Sequence, residues 1–326
     1  MAKADQLKAL LKSHIEGDDA HFFAVAMQMA ASEAKLGHGK LAQELRALID
    51  DAKVKKSVSV SPQPIPITAP RGELSSLLSV SYPKLRLSDM VLQESVSERL
   101  NRLIKEQRQI KKIRSYGLVP RKKLLFVGQP GTGKTMSATV LAGELGLPLF
   151  TVRLDSLMTK YMGETAAKLR LIFESLTQTR GVYLFDEFDA IGSQRGLLND
   201  VGEIRRILNS FLQMIEQDAS DSLILAATNH PEILDHALFR RFDDVIEFEL
   251  PPKELIQQTL RNKLGHFKKK DIDWKKLENQ AEGLSYADIT RACDDAIKDA
   301  IIHDREEVST EDILKPLQER QAICKK

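Results

Sequence analysis

Eight residues constrain this chain more than any other feature. Gly128-Gln129-Pro130-Gly131-Thr132-Gly133-Lys134-Thr135 follow the apolar run Lys123 to Val127 and open a helical stretch. The pattern G-x-x-x-x-G-K-[ST] between a strand and a helix is the context a polyphosphate cradle needs. The glycines let backbone amides turn inward, and the helix N-terminus adds the positive end of its dipole. In that setting Lys134 reaches the outer phosphates and the Thr135 hydroxyl ligates magnesium. Met136, next along the helix, joins these eight as a candidate nucleotide contact.

About fifty residues later, Val182-Tyr183-Leu184-Phe185 runs into Asp186-Glu187. An apolar strand brings such acids out at the carboxyl end of a sheet, where ligands bind in open α/β folds. Asp186 is expected to hold magnesium through its water shell and Glu187 to polarise an attacking water. Further strands are expected at Leu147 to Val152, Leu223 to Ala227 and Val245 to Leu250, with helical stretches between them and a lead-in helix from about Gln93 to Ser115. Alternation of this kind predicts a parallel sheet covered on both faces. Beyond Pro251-Pro252 no strand pattern returns, and four helical stretches (253–268, 273–282, 285–303 and 310–322) predict an all-helical unit.

Before the sheet, apolar residues at three- and four-residue spacing predict three short helices within residues 1–56. Fifty residues bury little surface alone, so a unit of this size commonly leans on a partner. Prolines at 62, 64, 66 and 70 favour an extended linker over 57–71. The expected organisation is therefore an N-terminal helical bundle (1–56), a linker (57–71), a large α/β unit (72–251) and a helical lid (252–326).

Charge narrows the function classes. Lys and Arg (48) nearly cancel Asp and Glu (46), and a net +2 supplies no whole-molecule field for nucleic acid or anionic lipid. Cys293 and Cys324 form no CxxC, and the seven histidines show no HExxH or paired ligand spacing. The longest apolar stretch, Phe22 to Ala31, falls far short of a membrane span, and the N-terminus lacks the layout of a signal peptide. A cytoplasmic protein is expected, with no membrane partner.

Together, the phosphate loop, the acidic strand end, the strand closing in Ala227-Thr228-Asn229 and then Arg240-Arg241-Phe242-Asp243 resemble the AAA family of ATPases. The likeness is to the protein-remodelling branch that holds membrane AAA proteases, the ubiquitin-selective segregase and microtubule-severing enzymes. It covers roughly residues 85 to 322. It implies a P-loop NTPase sheet with flanking helices and a helical lid, with ATP and Mg2+ as cofactors. Asn229 matches the family's first sensor, between phosphate and water. Arg240 and Arg241 match fingers that reach a neighbouring subunit's site, which implies a homo-oligomeric ring, usually of six. Family members usually separate these arginines, whereas here they are adjacent, and either could be the finger. Val91, in Asp89-Met90-Val91-Leu92, sits where the family's lead-in closes over adenine. In Gly283-Leu284-Ser285-Tyr286-Ala287-Asp288-Ile289 a tyrosine stands where a glycine is common, and Tyr286 and Ala287 are candidate adenine contacts.

Lys160-Tyr161-Met162-Gly163-Glu164 is similar to the family's first pore loop, so Tyr161 and Met162 are expected to grip a protein substrate. Arg195 to Asp200 with Glu203, Arg205 and Arg206 resembles the second pore loop and the helix that signals between subunits. The leading expectation is a hexameric motor that threads or remodels polypeptides. It carries no protease motif of its own, and a separate protease subunit could dock on residues 1–56. The alternatives left open are a nucleic-acid-handling AAA ATPase, against which the near-neutral charge and the pore-loop match stand, and a nucleotide-gated regulatory or assembly ATPase.

Overall fold

The computed structural model describes residues 25–27, 29–30, 43, 70, 72–157, 162–188, 201–233, 239–265, 267–269 and 271–324. By its internal contacts the chain divides into Met1–Gln63 and Pro64–Lys326. In the first unit, residues 25–27, 29–30 and 43 are helical, and the remainder of the expected bundle lies outside the described residues. The 57–71 linker lies outside them too, except for Pro70.

The second unit is built on six strands: β1 (Leu78–Ser81), β2 (Lys123–Gly128), β3 (Leu149–Val152), β4 (Val182–Phe185), β5 (Leu223–Thr228) and β6 (Asp244–Phe248). Their order across the sheet is β1-β3-β4-β5-β2-β6, and every pairing is parallel except β1 with β3. The helices α1 (Glu94–Arg108), α2 (Ile110–Ser115), α3 (Lys134–Leu145), α4 (Met162–Gln178) and α5 (Val201–Gln217) connect or flank them.

Because side chains alternate along a strand, the strands β2 to β6 feed two cores, whereas the edge strand β1 feeds one. Leu125, Phe185 and Ile224 pack with Leu169, Ile172 and Phe173 of α4 and with Phe211 and Ile215 of α5. Leu124, Phe126, Leu184 and Leu225 face the other way, onto Leu100 and Leu103 of α1 and Ala138 and Leu141 of α3. Burial on both faces is why these strands read as continuous apolar runs, and each fully buried Leu or Phe contributes roughly 1.5–3 kcal/mol relative to exposure.

The lid consists of α6 (Lys253–Lys263), α7 (Trp274–Ala281), α8 (Tyr286–Ile302) and α9 (Thr310–Cys324) around Leu260, Leu277, Ile289, Cys293 and Leu317. Asp273 caps α7 by accepting from the Lys276 N–H at 3.0 Å, and Ser285 caps α8 by accepting from the Asp288 N–H at 3.2 Å. No helix among the described residues is long and apolar enough to cross a membrane.

Four expectations need correction. The lead-in is not one helix over 93–115. It breaks at Gln109, because the buried stripe of α1 ends at Gln107, which donates to the Arg121 carbonyl at 2.6 Å, and α2 buries nothing. Strand β3 starts at Leu149 rather than Leu147, since Pro148 has no N–H to give a ladder. The sheet also carries an antiparallel edge, β1, that the sequence did not suggest. Finally, strand does return after Pro252: β7 (Lys268–Lys269) pairs in parallel with β8 (Glu307–Val308) in the lid.

Candidate functional site

The phosphate loop leaves the carboxyl end of β2 and enters α3, whose N-cap is Gly133 at φ 107°. Its interior is tied by its own side chains. The Thr132 hydroxyl donates to the Gln129 carbonyl at 2.8 Å, and Lys134 Nζ donates to the Gly128 and Gln129 carbonyls, both at 2.8 Å. Lys134 is 6 % exposed, so its ammonium is held within the loop rather than in bulk water. Pro130 and Gly131 form the tip, and Gly131 at φ +77° faces the lid.

Asp186 and Glu187 emerge from the same end of the sheet, after β4. They are flanked by two fully buried rings, Phe185 and Phe188, which pack on Phe211 with centroids 4.9 and 4.6 Å away. Anchoring on both sides fixes the turn that presents the acids. Thr135 Oγ1 donates to Asp186 Oδ2 at 2.6 Å, so residues 51 apart in sequence form one oxygen pair. Glu187 adopts φ 51°, a region L-residues enter at a cost of about 1–2 kcal/mol, and its N–H donates to Asp186 Oδ1 at 3.0 Å. Backbone strain at an exposed acid is the pattern expected where function dictates conformation. Hard oxygen donors such as Thr135 and Asp186 suit Mg2+, which takes one or two protein ligands plus waters and phosphate oxygens. Among the described residues there is no cluster of three or more His, Cys, Asp or Glu that could cage a metal alone.

The lid closes the other side. The Ala287 N–H donates to the Gly131 carbonyl at 3.1 Å, joining the first turn of α8 to the loop tip. Beside that contact lies a cavity of about 280 Å³ lined by Val91, Thr132, Gly133, Met136 and Tyr286, together with lid residues such as Asn262. Val91, Met136 and the loop thus share one cavity, while Ala287 acts through its backbone. The α6 face carrying Asn262 has no motif and became visible only once the lid was folded against the lead-in.

Asn229 follows β5 at the same carboxyl end, after the buried Thr228, whose hydroxyl accepts from the His230 N–H at 3.0 Å. Arg240 and Arg241 lie at the opposite end. Asp243 Oδ2 accepts from the Lys122 and Lys123 amides at 2.8 and 2.9 Å, and β6 begins with Asp244 beside Leu124. Four residues of β2, roughly 13 Å at strand rise, separate that register from Gly128. Arg241 pairs with Glu216 at the end of α5, whereas Arg240 is exposed and has no ion pair among the described residues. Tyr161 and 195–200 lie outside the described residues, as do the side chains of Met162, Glu203, Arg205 and Arg206, although Met162 begins α4 and 203–206 fall within α5.

Residues 124–250 match the family model described as "ATPase family associated with various cellular activities (AAA)". The chain is 37% identical over 321 residues to an uncharacterised AAA family ATPase, y4kL, of Sinorhizobium fredii, covering 98% of this chain and 96% of that protein. It is 31% identical to a putative 26S proteasome regulatory subunit homolog of Methanothermobacter thermautotrophicus, over 85% of this chain and 73% of that one. It is also 32% identical to the ATP-dependent zinc metalloprotease FtsH of Lancefieldella parvula over 70% of this chain, spanning only 37% of that protein's length. With a phosphate loop, an acidic strand end and a lid in one site, and a relative named an AAA family ATPase matching nearly its whole length, the chain belongs to the AAA family of ATPases and hydrolyses ATP to ADP and phosphate.

Proposed function

We propose that this ATPase works as a homo-oligomeric ring, most simply a hexamer, that uses hydrolysis to thread or remodel polypeptides. The observation that carries the ring is the position of Arg240 and Arg241. They lie at the amino end of β6, roughly 13 Å or more of strand away from the chain's own phosphate loop. A guanidinium there cannot serve its own nucleotide, but it can stabilise charge on a phosphoryl group held by a neighbouring copy. A head-to-tail contact of this kind is heterologous, and it closes into a ring where its rotation divides a full turn.

Within each site, Thr135 and Asp186 would hold Mg2+, which would neutralise charge on the phosphate oxygens. Lys134 and the loop amides would bind the β- and γ-phosphates, Glu187 would polarise the attacking water, and Asn229 would orient it. Tyr161 and Met162 would grip substrate, since aromatic and flexible apolar side chains pack against any sequence. Relatives named as a proteasome regulatory subunit homolog and an ATP-dependent metalloprotease support protein as the substrate. This chain has no HExxH, so degradation would require a separate protease, for which residues 1–56 are the candidate dock.

Mixing inactive variants tests the ring. Lys134→Ala and Arg240→Ala/Arg241→Ala should each lose ATP turnover alone. Their equimolar mixture should recover up to about a quarter of the sites, because only interfaces pairing an intact loop with intact arginines are competent. No recovery would overturn the trans arrangement, and repeating the mixture with single arginine variants identifies the finger.

A further inference from the structure

Among the described residues, five exposed large apolar side chains fall into two groups. Tyr116, Leu118 and Val119 lie between α2 and β2, and Ile301 and Ile302 end α8 in the lid; each is between 58 and 78 % exposed. Core packing accounts for neither group. α2 buries nothing, and the buried stripe of α8, from Ile289 to Ala300, stops just before Ile301. Single apolar side chains on a surface are ordinary, but adjacent ones of this size mark a place of contact. Behind Val119 opens a cavity of about 340 Å³ whose apolar lining includes Ile110, Val119 and Pro120, with room for a branched aliphatic side chain.

The charge around the two groups is opposite. Residues 108–123 carry seven Lys or Arg and no acid, whereas 294–307 carry six Asp or Glu against Lys298 and Arg305. Some of these charges are paired within the chain, Arg114 with Asp221 and Asp299 with Arg305 among them. Lys111 and Lys112 on one side and Asp304 on the other are exposed and have no ion pair among the described residues. Tyr116 to Val119 also precede the amino end of β2, the end of the sheet at which Arg240 and Arg241 lie.

We propose that the lid of one copy docks on the Tyr116–Val119 surface of the next, with Ile301 and Ile302 against the apolar residues and Asp304 beside Lys111 and Lys112. A head-to-tail contact needs two different surfaces on each chain, and these two are complementary in both polarity and charge. The inference rests on the ring proposed above, and it locates a contact that the arginines do not make.

The test reverses the charges in two full-length variants, Lys111→Glu/Lys112→Glu and Asp304→Lys/Glu307→Lys, Glu307 being the exposed first residue of β8. Sedimentation velocity with ATP and Mg2+ should show that each variant alone needs a concentration about tenfold or more above wild type to assemble, because every junction then opposes like charges. An equimolar mixture should assemble as wild type does, since alternating copies join a reversed surface to a reversed one and a native surface to a native one. A misfolded variant could not be rescued in this way. Wild-type assembly by either variant alone would overturn the proposal, as would a mixture no better than its components. If the wild-type chain stayed monomeric with ATP, the ring reading would itself fall.

Discussion

Replacing Gly131 by alanine isolates the energy with which the lid holds the phosphate loop. Gly131 sits at φ +77°, so any side chain there costs about 1–2 kcal/mol in backbone strain. The added methyl would also lie 2.4 Å from Ser285 Oγ and 3.0 Å from the Cβ atoms of Ser285 and Ala287. Ser285 Oγ is committed in both directions, donating to Asp288 Oδ2 at 2.6 Å and accepting from the Asp288 N–H at 3.2 Å. Swinging it aside gives up the N-cap of α8, about 1 kcal/mol. Pushing the whole turn away instead stretches the Ala287-to-Gly131 hydrogen bond, a loss of similar size. The expected destabilisation is about 2–3 kcal/mol, a large share of a typical 5–15 kcal/mol. Gly283 supplies the control: its φ is +83° and nothing lies within 4 Å of a Cβ there, so Gly283→Ala should cost only the strain. The assay is urea unfolding followed by the fluorescence of Trp274, the one tryptophan in the chain, which packs against the lid core with the Arg261 guanidinium 4.7 Å over its ring. Equal losses in the two variants, within about 0.5 kcal/mol, would refute the claim that the lid–loop contact carries energy.

Glu187→Gln should keep ATP binding and lose about a hundredfold or more in turnover, as expected when a water loses its polarising carboxylate; near-normal hydrolysis by phosphate release would remove Glu187 from that role. Tyr161→Ala should spare basal ATP hydrolysis and abolish unfolding of a fluorescent protein substrate, and continued unfolding would end the grip assignment. Lys122 is bound to Asp218 Oδ2 at 2.7 Å and to the Asp218 and Ser220 carbonyls, with the two side chains 13 and 1 % exposed. Lys122→Met leaves Asp218 buried without a counter-charge, so the chain should lose about 3 kcal/mol in urea unfolding with little dependence on salt; a loss that vanishes in high salt would mark the pair as a surface contact.

Legibility followed locality. Strands β2, β4 and β5 were visible within a residue or so because burial on both faces makes them unbroken apolar runs. The edge strand β1 was not, since Leu78-Ser79-Val80-Ser81 is four residues long, half of them serine, and pairs on one side only. The β7–β8 pair was hidden more deeply. Lys268-Lys269 has no strand pattern, and its partner lies some forty residues later in the chain. In the site, the loop and Asp186-Glu187 stood out through glycine, lysine and acid spacing. Asn262 carried no such mark and lines the cavity beside the loop only because α6 folds over the lead-in.

From the amino-acid sequence alone came the fold class, the ATPase chemistry and the candidate phosphate-binding and acidic residues, because each depends on short-range backbone requirements written into a few consecutive positions. Tertiary structure decided what lies opposite what. It joined Thr135 to Asp186, set Arg240 and Arg241 at the far end of the sheet, and paired Arg241 with Glu216. Those relations join residues tens of positions apart. They exist only after the sheet order and the lid's packing have been chosen, by the burial of side chains spread over the whole chain.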